Sequence, residues 1–103
     1  MIKSDKVLLD LNNPIFQEDL FTLEKDNAAH MLGTLHKIKK LTWTEIYRDK
    51  GLRWELVQSK EGPAGQRLYT IRISQGFRAL VYREGQYMRF LSLHPDHDSA
   101  YKQ

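Results

Sequence analysis

Residues 68–93 read LYTIRISQGFRALVYREGQYMRFLSL, and this stretch decides the fold. Apolar and polar side chains alternate along three runs, 67–73, 77–83 and 87–93, which is typical of β-strands that bury one face. Each of the two short connections between these runs contains a glycine, as tight hairpin turns commonly do. The stretch therefore predicts three consecutive antiparallel strands.

The first hairpin is predicted to place two arginines side by side. A three-residue loop, 74–76, with its glycine in the left-handed conformation would pair Ile73 with Phe77 and Arg72 with Arg78. Because side chains alternate between the two faces of a strand, one face would be apolar and covered by helices, and the other would carry both arginines. The predicted apolar face consists of Tyr69, Ile71, Ile73, Phe77, Ala79 and Val81, and the arginines are flanked by Thr70, Leu80 and Tyr82.

A ligand explains the pairing of Arg72 with Arg78 better than packing does. Like charges that lie directly opposite each other destabilise a sheet. Arginine also presents planar, permanently charged donors that match the geometry of phosphate. The pair therefore predicts an anion-binding site. The alternative is that nearby carboxylates, such as that of Glu55, neutralise the two arginines.

The second hairpin is predicted to extend the same basic face. A two-residue turn at 84–85 would put Tyr87 and Arg89 on the face of Arg78, which adds a third arginine and an aromatic side chain. A three-residue turn would instead put Arg89 on the apolar face, where a charge is costly. We therefore expect the shorter turn.

The first half of the chain predicts helices. A short β-compatible run at 6–11 precedes the Asn-Pro step at 13–14, which is typical of a helix start. Apolar residues recur at helical spacing over 28–38, which predicts a second helix. Thr and Glu at the two ends of 42–45 have capping-box spacing, so a short third helix is expected over about 42–49.

A change to strands follows the third predicted helix. Alternation predicts a strand at 52–57, and composition predicts a loop at 59–66 before the hairpins begin. The expected fold is α+β, with two to three N-terminal helices packed on one face of a mostly antiparallel sheet of four to five strands. The length of 103 residues predicts a single domain, 1–103.

Composition excludes several classes of protein. The sequence has no cysteine, which excludes disulfides, thiolate nucleophiles and cysteine-based metal sites. No stretch approaches the roughly 20 apolar residues of a membrane span. We therefore expect a cytoplasmic protein that has no membrane partner.

Basic charge is concentrated in the middle of the chain. Residues 1–29 carry a net charge of −3, whereas 30–93 carry twelve Lys and Arg against five Asp and Glu, a net charge of +7. This asymmetry favours a polyanionic partner, either nucleic acid or an acidic protein, although a solvated surface would look the same. Three lysines that end the second helix complement its dipole and could also contact phosphate. The predicted nucleic-acid contacts are Lys37, Lys39, Lys40, Arg53, Tyr82, Tyr87 and Arg89.

The end of the chain reads HPDHDSAY over 94–101. Histidines and carboxylates are ordinary metal ligands, but the cluster lacks the helical spacing of common zinc motifs. We therefore predict neither a metal nor another cofactor. The two aspartates could cap a helical turn. The functional reading makes His94 or His97 a proton donor or acceptor, with Tyr101 stacking on a base or moving a proton.

The hairpin resembles that of the RelE/ParE superfamily, the toxins of type II toxin–antitoxin systems. Members share a Y-x-x-R/K…Y/F-R-hydrophobic-hydrophobic-Y hairpin, then a further strand and a tail that ends near a tyrosine. The element order agrees over nearly the whole chain, and the specific likeness covers about 35 residues. The matching positions are Tyr69, Arg72, Phe77, Arg78 and Tyr82, with Tyr101 as the tail tyrosine.

The resemblance implies a ribosome-dependent mRNA endoribonuclease that inhibits translation. In that reaction the RNA 2′-hydroxyl attacks the adjacent phosphate, so Arg78 would hold the scissile phosphate and Arg72 would assist it. Tyr101 would take the role of the tail tyrosine. Many RelE-like tails carry Lys or Arg where this sequence has His94 and His97, which favours histidine acid–base chemistry.

The same resemblance leaves other functions open. One branch of the superfamily inhibits DNA gyrase without cutting RNA, and a non-catalytic member would only bind antitoxin or nucleic acid. The implied partners are a cognate antitoxin, either acidic or DNA-binding, together with the ribosome and mRNA. An acidic antitoxin segment would complement the basic half of the chain.

Overall fold

The computed structural model describes residues 5–95 and contains three helices and five strands over that range. The sheet order is β1-β5-β4-β3-β2, with β1 parallel to β5 and every other pair antiparallel. The α+β fold with a mostly antiparallel sheet is therefore confirmed. In chain order the elements are β1 Leu8–Asp10, α1 Pro14–Phe21, α2 Lys25–Lys39, α3 Trp43–Arg48, β2 Glu55–Glu61, β3 Arg67–Ser74, β4 Phe77–Glu84 and β5 Tyr87–His94.

Two of the helices begin where their capping residues predict. The side chain of Asn13 accepts hydrogen bonds from the amides of Ile15 and Phe16, and Pro14 occupies the first turn of α1. Thr42 and Glu45 form a capping box at the start of α3, in which each side chain bonds to the backbone of the other residue. Each cap stabilises its helix by about 1 kcal/mol.

The main core lies between the helices and one face of the sheet. Helix residues such as Phe16, Met31 and Ile46 are fully buried in it, against strand residues such as Ile71 and Phe90. The predicted apolar face of the hairpin is confirmed, since its members belong to this core or pack against it. No helix within residues 5–95 is both long and apolar enough to span a membrane.

The first hairpin has the predicted pairing of arginines but a different turn. Arg72 lies opposite Arg78, as expected, whereas Phe77 pairs with Ser74 and not with Ile73. The turn has two residues, 75–76, and its glycine is not in the left-handed conformation, so both details of the predicted loop are wrong. The reason is a bulge, which places the extra residue in the strand at Ile73 and leaves that side chain in the core.

The second hairpin also keeps its predicted faces with a shifted register. The turn is formed by residues 85–86 and not by 84–85, and Gly85 supplies the positive φ of 63° that the turn requires. Arg89 lies opposite Tyr82 as a result. The face assignment survives because the pairing differs by two residues, and side chains repeat their direction every two residues along a strand.

The bounds of β2 differ most from the prediction. The strand covers Glu55–Glu61 and not 52–57, so it takes up the first part of the predicted loop. Arg53 has a φ of 53°, which is incompatible with an extended strand at that position. Leu52 instead enters the core, and its carbonyl accepts a hydrogen bond from the amide of Arg72.

Candidate functional site

The sheet face opposite the helices carries three of the predicted site residues in one row. Arg72 of β3 lies opposite Arg78 of β4, and Arg78 lies opposite His94 of β5. We call these three residues the Arg-Arg-His row. Neighbouring strands are about 4.8 Å apart, so the backbone positions of the row span roughly 10 Å. That length suits one phosphodiester and the sugars on either side of it.

A bulge in β5 brings His94 into this row. Met88 and Phe90 point into the main core, so strict alternation would send residues 92 and 94 into the core as well. The register shifts at Leu91, between the pairs of Val81 with Phe90 and of Leu80 with Ser92. Beyond the shift it is Leu93 that enters the core, and residues 92 and 94 face the arginines. The bulge thus re-aims the histidine, as bulges beside functional sites commonly do.

Arg78 is held rigidly by the turn that precedes it. Only 4% of the residue is exposed, and its Nη1 donates to the carbonyls of Ser74, Gln75 and Phe77 at 3.0, 3.3 and 3.3 Å. These bonds fix the guanidinium on the arginine side of the sheet. Arg78 is therefore both a structural clamp on the turn and a fixed positive charge beside His94.

Arg72 carries a buried polar atom that lacks a partner. Its Nε is buried and forms no hydrogen bond within the described part of the chain. Such atoms are rare in native proteins and commonly mark a place where a ligand or ion binds. Glu55 lies opposite Thr70, two residues along from Arg72, yet no ion pair joins Arg72 to a carboxylate within residues 5–95. For Arg72 the predicted alternative of neutralisation by Glu55 is therefore wrong.

His94 lies in an environment that favours its neutral form. The residue is 7% exposed, and its Nε2 lies 2.8 Å from Oγ of Ser92. Burial lowers the pKa of His94 below its ordinary value, the Asp19 carboxylate partly opposes that change, and the Lys60 ammonium reinforces it. A neutral imidazole at neutral pH can accept a proton, as a general base must.

Asp19 fixes the end of β5 against α1. Its Oδ2 accepts a hydrogen bond of 2.9 Å from the amide of Leu93, the residue before His94. The carboxylate thus holds the backbone that carries the histidine and supplies a negative charge near it. Nothing in the local sequence signals this contact, because the two residues are 74 positions apart. Ser92 was detectable, since it lies two residues before His94 and so shares its face.

Arg89 is on the predicted face but is engaged by carboxylates. Its Nε donates to Oε1 of Glu84 at 2.6 Å, and its Nη1 pairs with Oδ2 of Asp10 in the parallel neighbour strand. It lies opposite Tyr82, four residues along β4 from Arg78, which corresponds to roughly 13 Å. Its charge is balanced within the protein, at a distance from the Arg-Arg-His row.

The two predicted tyrosines are placed differently from each other. Tyr82 is half-buried and packs against a small apolar cluster on the same face, whereas Tyr87 is exposed and lies near the Arg89 guanidinium. The cluster consists of Val57, Leu68, Leu80 and Leu91.

The remaining predicted contacts surround the row or lie away from it. Arg53 is exposed and follows Leu52, whose carbonyl binds the amide of Arg72, so it adjoins the arginine end of the row. The three lysines lie at the end of α2, where Lys37 pairs with Asp49 at 3.0 Å and the other two, Lys39 and Lys40, are exposed. His97 and Tyr101 lie outside the described residues.

Within residues 5–95, no three His, Asp or Glu side chains form a group that could hold a metal ion. Comparison of the chain with protein-family models finds no match, and neither the curated proteins nor the solved structures include one that is significantly similar to it. The geometry of the Arg-Arg-His row therefore has to carry the functional argument.

Proposed function

We propose that the protein is an RNA-cleaving toxin of the RelE/ParE type, which cuts messenger RNA in the ribosome at the Arg-Arg-His row. One observation carries the proposal: two opposed arginines and a histidine of lowered pKa lie side by side on three neighbouring strands. This arrangement opposes sheet stability, and an incoming phosphate would offset the repulsion. The α+β order of three helices and a five-stranded sheet agrees with the fold that the resemblance implies.

The reaction that fits these groups is cleavage by the RNA's own 2′-hydroxyl. Neutral His94 accepts the proton of the 2′-hydroxyl, whose oxygen then attacks the adjacent phosphorus. The bond from phosphorus to the 5′-oxygen breaks, which leaves a 2′,3′-cyclic phosphate on one fragment and a 5′-hydroxyl on the other. The leaving oxygen needs a proton from a second group, for which His97 and Tyr101 are the predicted candidates.

The arginines serve the charge that develops on the phosphate. Arg78 is already fixed by the carbonyls of the turn, so it need not reorganise as the reaction proceeds. Arg72 brings the buried Nε, for which a phosphate oxygen is a suitable acceptor. Loss of one such preorganised donor typically slows catalysis by about 10²–10³-fold.

The test is to induce the protein and map transcript 5′ ends with and without translation. We expect cuts within codons only while ribosomes translate, and loss of these cuts in Arg72→Ala and His94→Ala. Arg67→Ala is the matched control, because Arg67 is an exposed arginine on the same strand. Intact transcripts together with a DNA-damage response would favour gyrase inhibition instead. Full cleavage by Arg72→Ala would refute the site.

An apolar groove between β1 and α2 supports the proposed antitoxin partner. Its volume is about 660 Å³, and its walls include Leu32, a helix residue that is 69% exposed. His36 and Lys39 line one side of the groove and place basic charge beside apolar surface. The complete lining is Leu9, Leu11, Ala29, Leu32, Gly33, Leu35, His36 and Lys39.

An amphipathic antitoxin helix with acidic flanks has the chemistry that complements this groove. We expect the product of a neighbouring gene to co-purify with the protein, and Leu32→Asp to abolish that co-purification while RNA cleavage continues. Leu32→Ala, which removes apolar area without adding charge, should only weaken the complex. A complex that tolerates Leu32→Asp would exclude this surface as the antitoxin site.

A further inference from the structure

We propose that Ser92 is a positioning residue that holds His94 for proton transfer, an inference that rests on the proposed ribonuclease function. Ser92 Oγ lies 2.8 Å from Nε2 of His94, and the two residues are two positions apart on β5. The strand itself therefore fixes the distance between the hydroxyl and the ring. Both residues reach this face only because of the bulge at Leu91.

A serine hydroxyl suits this position because it can donate or accept a hydrogen bond. It can accept from an Nε2–H group in the neutral ring and continue to accept after the ring has gained a proton. Charge alone would not orient the imidazole, since groups of both signs act on it from different elements. These groups are Asp19 of α1, Lys60 of β2 and Arg78 of β4.

Engagement of Nε2 by Ser92 decides which nitrogen takes the substrate proton. For Nε2 to serve as the base, the ring would have to leave Ser92 and rotate, at the cost of a hydrogen bond in a buried site. With the bond kept, the neutral ring carries its proton on Nε2, and the proton of the RNA 2′-hydroxyl enters at Nδ1. Ser92 thus acts through His94 and does not touch the RNA.

The experiment combines nitrogen NMR with single-turnover cleavage of mRNA in ribosomes. Long-range ¹H–¹⁵N spectra of the full chain report which nitrogen of His94 is protonated, and His94→Gln identifies the signal. We expect the wild type to hold one tautomer, protonated on Nε2, and Ser92→Ala to give a mixture. We also expect Ser92→Ala to lower kcat by about 10-fold to 100-fold at unchanged KM, a part of what a positioned base contributes.

Two further variants make the result specific. Ser92→Thr keeps the hydroxyl and should restore both the tautomer and the rate, whereas Ser59→Ala removes an exposed serine of β2 and should change neither. An unchanged His94 tautomer in Ser92→Ala would overturn the inference, and so would a Ser92→Thr variant as impaired as Ser92→Ala. If the tautomer responds as expected but His94→Gln still cuts mRNA, the orientation of the ring by Ser92 stands and the proposed function fails.

Discussion

Replacement of Arg72 by methionine should separate stability from function at the Arg-Arg-His row. Methionine keeps the apolar stem of the arginine and removes its charge and its buried Nε. A buried polar atom without a partner costs about 1–3 kcal/mol, and like charges directly opposite each other cost roughly 0.2–1 kcal/mol. Arg72 is only partly buried, so the lower part of these ranges applies. We expect Arg72→Met to raise the free energy of unfolding by about 1–2 kcal/mol.

Arg78→Met provides the opposite result at the neighbouring position. Its guanidinium donates to three carbonyls of the turn and is nearly fully buried. Loss of charged hydrogen bonds should lower the free energy of unfolding by about 1.5–3 kcal/mol. Arg72 is thus the cleaner functional probe, because substitution of Arg78 also releases the turn.

Urea denaturation measures both effects. For a domain of this size the slope is about 1–3 kcal/mol per molar urea, so the midpoint of Arg72→Met should rise by roughly 1 M at an unchanged slope. Arg67→Met, an exposed arginine on the same strand, should stay within about 0.5 kcal/mol of the wild type. RNA cleavage should fall by about 100-fold or more in Arg72→Met. A midpoint that drops as far as in Arg78→Met would show that Arg72 is a structural residue and would remove the argument for a ligand.

Two further predictions concern the surroundings of His94. Its folded-state pKa lies below the ordinary value of 6.5, so the unfolded chain takes up a proton that the folded chain resists. Stability should therefore be lost as the pH falls below about 6.5, and His94→Gln should flatten that part of the curve in urea titrations between about pH 5 and 8. Asp19→Asn keeps an oxygen that can accept from the amide of Leu93 but removes the charge that supports the pKa of His94. It should lower that pKa further in an NMR titration at little cost in stability, whereas Asp19→Ala should also destabilise the fold by about 1 kcal/mol; equal pKa values for His94 in Asp19→Asn and the wild type would refute the electrostatic role.

The parts of the fold that follow local rules could be predicted from the sequence. Alternation along the strands placed Arg72 opposite Arg78 and assigned Arg89 to their face. The caps at Asn13 and Thr42 located two helix starts. These features depend on side-chain direction or on backbone groups within four residues, so no tertiary information was needed.

The parts that were missed depend on departures from regular geometry or on distant contacts. A bulge interrupts the two-residue repeat, and sequence alternation alone does not show where the interruption falls, so the face of His94 was not predicted. The contact of Arg89 with Asp10 and that of Leu93 with Asp19 join residues more than 70 positions apart. The left-handed Arg53, which delays the start of β2, has no signal in its residue type.

The chemistry of the RNA ends tests the central claim most directly. Messenger RNA cut in translating ribosomes by the wild-type protein should carry 2′,3′-cyclic phosphate on the upstream fragment and 5′-hydroxyl on the downstream one. A message with a 2′-O-methyl group at the cleaved nucleotide should remain intact, because the attacking hydroxyl is absent. Cleavage of the 2′-O-methyl message, or fragments that end in a 3′-hydroxyl, would contradict attack by the RNA hydroxyl at the Arg-Arg-His row.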